Sequence, residues 1–233
     1  MQPRTATLTR LRFRLAEFPQ AVTLVSFLAV FLFFSFAADN FLTSVAVSNV
    51  LTFTSIQGII VVGVAMLMIA GEFDLSVGAT FAVTSFVFAL TMNAGVPPLP
   101  AMLFALLVSA LLGLVNGLIV VRTGIPSFIT TLGTMLAYRG IARAIGGGDF
   151  AKYTETKPVL FSILNGSLDP LNRLFHPVAN FRASILWFIL IAAIMSFVLM
   201  RTRFGNWIFA TGGNPGAALA PVSYTHLTLP TKA

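Results

Sequence analysis

The residues best placed to do chemistry in this chain are Glu72 and Asp74. They sit in the segment Gly71-Glu72-Phe73-Asp74-Leu75-Ser76-Val77-Gly78, between two uncharged apolar runs, Val50 to Ala70 and Leu75 to Met92. An ionisable group at the edge of a hydrocarbon layer costs roughly a few kcal/mol unless it reaches water, a partner or a cavity. As a general acid/base pair the two are poorly arranged, because residues two apart on a helix point in different directions. No nucleophile–base–acid set accompanies them, and neither His-Glu-x-x-His nor a phosphate-binding Gly-x-x-x-x-Gly-Lys-Ser/Thr occurs. His176 precedes a proline and has no ligand-spaced partner, and cysteine is absent, so no metal site and no cofactor are expected. The segment's remaining chemistry is hydrogen bonding, charge and a break between helices. Gly71 can take φ > 0 and end the first run. Asp74 or Ser76 can accept backbone N–H bonds at the start of the next.

Other polar residues stand inside apolar stretches. Asn116 lies within Gly113-Leu114-Val115-Asn116-Gly117, a GxxxG pattern that lets helices approach closely. Gln57 in the second apolar run is expected to form an interhelical hydrogen bond. Thr130, Thr134 and, one step on, Tyr138 share one face of a helix. Two readings of that face stand open. It lines a solute path, or it packs in a bundle with its hydroxyls bonded to carbonyls of its own helix.

The elements that must position these residues are membrane helices. Of 233 residues, 57% are hydrophobic and 9% charged, with 23 phenylalanines. The charged share is far below the roughly 25% of soluble domains. The expected fold is all-α, a polytopic integral membrane bundle of about six spanning helices. The net charge of +7 does not point to nucleic acid, because the basic residues cap apolar runs instead of forming a basic surface. Residues 1–20 form a polar leader with Arg4, Arg10, Arg12 and Arg14. That density places the N-terminus in the cytoplasm, with or without an interfacial helix from Leu8 to Phe18. Ala21 to Ala38 reaches about 27 Å as helix at ~1.5 Å per residue, enough to span.

Val50 to Ala70, Leu75 to Met92, Leu99 to Val121, Ser127 to Ile145 and Ile185 to Met200 supply the further helices. Pro97, Pro98 and Pro100 suit a helix start, and Gly146-Gly147-Gly148 a helix end. Asp149 to Arg182 reads as a long polar loop, with a short surface helix near Val159 to Leu164. With the N-terminus inside, Arg122, Arg201 and Arg203 also fall inside, while Arg139, Arg143, Lys152, Lys157, Arg173 and Arg182 fall outside or near the outer face.

No acid lies deep in a span, so coupling to an ion gradient is disfavoured and energy from a separate subunit fits better. With these residues in view, the chain resembles the permease subunit of bacterial ABC importers for monosaccharides of the ribose/xylose/galactose type. The acidic segment is similar to that family's G-G-x-D-L-S-V-G, with Glu72 where Gly is commoner. Gly113 to Gly117 resembles its G-x-x-N-G. Pro126-Ser127-Phe128-Ile129-Thr130-Thr131-Leu132-Gly133-Thr134-Met135, with Arg139-Gly140, resembles its P-x-F-I-x-T-L-G-T-M…R-G. Thr202-Arg203-Phe204-Gly205, Thr211-Gly212-Gly213-Asn214 and Ala217-Ala218 resemble its T-x-F-G…A-x-G-x-N…A-A.

The resemblance implies a non-enzymatic transport subunit in the bacterial plasma membrane. It implies a second permease subunit, cytoplasmic ATPase subunits and a periplasmic sugar-binding protein as partners. Gly71, Glu72, Asp74, Ser76, Asn116, Thr130 and Thr134 would line the path or form its helix break. Arg203, Phe204, Gly205, Gly213, Asn214, Ala217 and Ala218 would belong to a loop that docks on the ATPase. The resemblance covers 21–220, read as a partial permease domain. The family's chains run longer, so a truncated permease is expected, and Pro221 to Ala233 resembles translated cloning or adapter DNA. A permease for branched-chain amino acids or nucleosides, an ion-coupled secondary transporter and a membrane-embedded assembly subunit are the competing readings.

Overall fold

The structure, a computed structural model, describes residues 19–147, 158–175 and 178–213, with side chains from Val22 onward. The leader, the stretch 148–157, His176 and everything from Asn214 on, including Ala217, Ala218 and the tail, lie outside the described residues. Those described form helices α1 Pro19–Ala37, α2 Ser44–Ile69, α3 Val77–Asn93, α4 Pro98–Thr123, α5 Ser127–Gly146, α6 Val159–Asn165, α7 Asp169–Phe175, α8 Ser184–Arg201 and α9 Arg203–Gly213. Among these residues the only β pairing is an isolated antiparallel bridge, Ser167 with Arg182. By length and composition α2, α4 and α8 are long and apolar enough to cross a membrane, and α1 and α3 are shorter apolar helices. Broad exposure of large apolar side chains along them is what a lipid-facing helical bundle requires.

The chain divides into two compact units. One comprises Met1–Leu51 with Asp169–Phe181. Within it Asn180 donates its amide N–H to Ser48 Oγ (2.8 Å) and its side-chain Nδ2 to Asn49 Oδ1 (2.9 Å). Asn172 pairs with Phe181 through both backbone groups, at 3.1 and 2.7 Å. The short helix α7 has no counterpart in the loop read from the sequence.

The other unit comprises Thr52–Leu168 and Arg182–Ala233. At its centre α3 packs on both α4 and α5, which also touch each other. The core is made of small residues and one aromatic: Ala79, Val83, Tyr138 and Ala142, with Phe86, Leu112 and Met135 against them. Small residues suit a membrane bundle, where close backbone approach and van der Waals contact replace the hydrophobic drive. On α2, Gly58 leaves room for the Phe188 ring of α8, and Ser55 Oγ donates to Ser184 Oγ at 3.0 Å. Gln57 is exposed, so Ser55 supplies the interhelical hydrogen bond that Gln57 was expected to make.

Helix ends follow the local chemistry. Gly71, Gly95, Gly124 and Gly147 all take positive φ. At Gly95 the N–H bonds back to Met92 O and the next N–H to Thr91 O, the paired closure of a Schellman cap. Pro98 and Pro100 occupy the first turn of α4, where a missing N–H costs nothing.

The stretch read as a docking loop is a helix over Arg203–Gly213. Gly205 and Ile208 turn inward, while Phe204, Trp207 and Phe209 stay exposed. That periodicity is helical, where the resemblance implied a loop. A methyl on Gly212 would fall on the carbonyl oxygen of Ile69, whereas one on Gly213 would meet nothing within 4 Å. Replacing Gly212 by Ala should therefore lower stability by about 1–3 kcal/mol, as overpacking against rigid backbone does. Gly213→Ala should leave it within about 0.5 kcal/mol. Thermal unfolding of the two variants in detergent checks the contrast.

Candidate functional site

The acidic segment is a break between α2 and α3, held by the helix cap before it and by side chains around it. Gly71 sits at φ 86. Its N–H donates to Met68 O (3.0 Å), and the N–H of Glu72 donates to Leu67 O (3.1 Å), completing the cap. Beyond it the backbone runs open, and α5 supplies hydroxyls to its amides. Phe73 N–H donates to Ser127 Oγ and Leu75 N–H to Thr131 Oγ1, each at 3.1 Å. Thr131 passes its own proton to Ser127 O at 2.7 Å.

Asp74 Oδ1 accepts both the backbone N–H (2.7 Å) and the hydroxyl (2.6 Å) of Ser76. Of the two residues expected to cap α3, Asp74 accepts an amide N–H and Ser76 does not. The Ser76 hydroxyl serves elsewhere, because it is fully buried and accepts from Asn116 Nδ2 at 2.8 Å. Asn116 Oδ1 lies 3.0 Å from the Tyr138 hydroxyl, which is also 3.0 Å from Leu112 O. The chain Tyr138–Asn116–Ser76–Asp74 thus joins α5, α4 and the break. Asn116 and Tyr138 are each 5% exposed, so losing a partner here leaves a desolvated polar group at a cost of about 1–3 kcal/mol.

A cavity of about 340 Å³ opens beside this network. Glu72, Asp74, Asn116, Ser127 and Thr131 form its polar wall; Leu67, Val120 and Val121 form the apolar one, with Gly113 and Gly117 between. The GxxxG glycines face this space: a Cβ on either would meet nothing within 4 Å. Among the described residues no helix closes on them as their pattern suggests. A wider depression of about 650 Å³ along residues 40–49 of the first unit has no charged lining.

Among the residues singled out from sequence, Glu72, Asp74 and Asn116 come together in the cavity. Ser76 stands behind them in the network, and Gly71 shapes the turn. Thr130 and Thr134 do not line it. Thr134 Oγ1 bonds its own helix at Thr131 O (3.3 Å). Thr130 is buried, and its hydroxyl has no partner among the described residues. Sequence reasoning passed over Ser127 and Thr131 as site residues. Their signal was a hydroxyl pair at i, i+4 in the first turns after Gly124-Ile125-Pro126. Of the expected docking residues, Arg203 and Phe204 begin α9 exposed, Gly205 is buried, and Gly213 ends it exposed. A Cβ on Gly71 would lie 3.5 Å from Gly212 Cα, so α9 reaches the break itself.

A family model described as the permease component of branched-chain amino acid transport systems matches residues 46–221. The D-allose transport system permease protein of Escherichia coli K12 is 33% identical over 81% of this chain and 55% of its own length. The xylose/arabinose import permease protein of Sulfolobus acidocaldarius is 32% identical over 80% of the chain and 50% of its own. The galactose/methyl galactoside import permease protein of Escherichia coli K12 is 34% identical over 84% and 60%. The chain thus spans about half to three fifths of these curated relatives. No solved structure matches it. The network itself is open to test. Asn116→Ala and Ser76→Ala should each destabilise by about 1–3 kcal/mol. Their double-mutant cycle should show coupling of about 0.5–3 kcal/mol, measured by unfolding in detergent.

Proposed function

We propose, from the premise that this chain belongs to the branched-chain amino acid transport system/permease component family, that it is a permease subunit of an importer for a neutral monosaccharide. The observation that carries this reading is the cavity at the helix break. Carboxylates, a side-chain amide and hydroxyls line it within an otherwise apolar bundle. Such groups exchange hydrogen bonds with a polyol as it sheds water, and a buried polar surface without such a role would be costly. The named relatives are permeases for sugars. The family description fits a zwitterionic amino acid as well, yet among the described residues no basic side chain lines the cavity to receive a carboxylate.

In this reading the protein lies in the bacterial plasma membrane with its N-terminus inside. It pairs with a second permease subunit, takes sugar from a periplasmic binding protein and is driven by cytoplasmic ATPase subunits. The ends of α2, α4 and α8 and the starts of α3 and α5 share the side that bears Arg122, Arg201 and Arg203. This clustering supports a cytoplasmic position for the break. Helix α9 is the docking element, with exposed Phe204, Trp207 and Phe209 offered to the ATPase and Gly212 resting on the break. Movement of α9 is then transmitted to the segment carrying Glu72 and Asp74.

Assembled with its ATPase and binding protein in proteoliposomes, the permease should accumulate a pentose or hexose only when ATP is supplied. Uptake that persists without the ATPase subunit would overturn the reading. Filling the cavity by Gly117→Leu should reduce uptake to background while the assembled complex still forms. A single cysteine at Phe204 should react with impermeant reagents only from the cytoplasmic side; labelling from outside removes α9 from reach of any ATPase.

A further inference from the structure

We infer that Glu72 makes this cavity a charge filter, open to neutral and cationic solutes and closed to anionic ones such as sugar acids and sugar phosphates. The inference rests on the reading of the cavity as a solute path and adds to it the class of solute that path rejects. Glu72 and Asp74 have different duties in the structure. One oxygen of Asp74 is taken up by the two donors of Ser76, so Asp74 holds the break in shape. The backbone of Glu72 is fixed by the cap on Leu67 O, which sets where its side chain enters. That side chain is half-buried and lines the cavity.

Among the described residues nothing in the lining offsets the charge. Asp74, the other ionisable group of the lining, is acidic as well; Asn116, Ser127 and Thr131 are neutral, and the other wall is aliphatic. Arg122, the nearest basic residue in sequence, lies outside the lining and is exposed. Apolar walls lower the local dielectric, so a carboxylate a few ångströms from a passing solute acts far more strongly than it would in water. A neutral polyol still gains, because a carboxylate is a strong acceptor for its hydroxyls.

The chain contains no cysteine, so one introduced thiol reports alone. Gly117 is the place for it, since it lines the cavity and a Cβ there meets nothing within 4 Å. The Gly117→Cys protein, in native membranes, is treated with methanethiosulfonate reagents carrying a trimethylammonium or a sulfonate group. The cationic reagent should react faster, relative to free thiol in solution. Adding Glu72→Gln should reduce that preference on the order of tenfold, the effect of one unit charge at short range in partly hydrated protein. Glu72→Asp should retain most of it. A reference thiol at Val159, exposed on α6, should show a ratio that Glu72→Gln leaves unchanged. A cavity ratio near unity in the parent, or one unmoved by Glu72→Gln, overturns the inference and leaves the permease reading standing. A thiol at position 117 that reacts with neither reagent shows a cavity closed to solutes and overturns both.

Discussion

Backbone that leaves the helical conformation inside a membrane bundle loses its hydrogen-bond partners and finds no water to replace them. The break between α2 and α3 lives under that constraint, and the second unit is built to meet it. The glycine cap closes the end of α2 on its own carbonyls. Two hydroxyls from α5 receive the amides of Phe73 and Leu75. A carboxylate receives the amide of Ser76. Three amides of the open chain thus find side-chain acceptors, two of them on another helix. Three helices must stay packed for the segment to hold its shape.

The same requirement explains the small residues of the core. Ser127 and Thr131 reach the break only if α5 lies close to α3, and Asn116 reaches Ser76 only if α4 does. Alanines at 79 and 142, together with the inward Tyr138, permit that closeness. Tyr138 fills the volume that the small residues leave and places its hydroxyl between Leu112 O and Asn116. Packing and polar satisfaction are thus a single arrangement here. A buried polar network of this kind rigidifies when complete and is costly when one member is missing.

A rigid break beside a cavity gives the permease reading its physical sense. A path must carry polar groups without letting the bundle collapse onto them. The glycines at 113 and 117 keep the α4 wall low, and Asp74, holding both donors of Ser76 on one oxygen, keeps the floor in place. Glu72 gives its backbone to the cap and its side chain to the cavity lining. In that reading, contact between Gly212 and the backbone at Ile69 and Gly71 would let a partner that displaces α9 push on the break directly. Hinges of this sort absorb motion at a few residues while the packed helices move as bodies.

Much of this was legible in the residues themselves. Charge-free runs, the Gly and Pro punctuation and the positive-φ demand at Gly71 are local properties. They locate the helices and their ends, because a helix in lipid must satisfy itself along its own length. The short helix at Val159–Asn165 was legible as a surface helix within a polar loop, whereas the helix at Arg203–Gly213 was obscured by its glycines. The partners across the bundle were not legible. Thr130 and Thr131 are the same residue type one step apart, and only the roll of α5 against α3 decides which hydroxyl meets the break. The GxxxG glycines read as a packing face and turned out to be a cavity wall, because sequence spacing states which residues share a face and never what that face meets. The sequence alone determined a membrane bundle with an acidic helix break. The tertiary structure decided which hydroxyls and which amide meet that break and that Glu72 and Asp74 share one cavity, since hydrogen-bond partners distant along the chain exist only once the helices are packed.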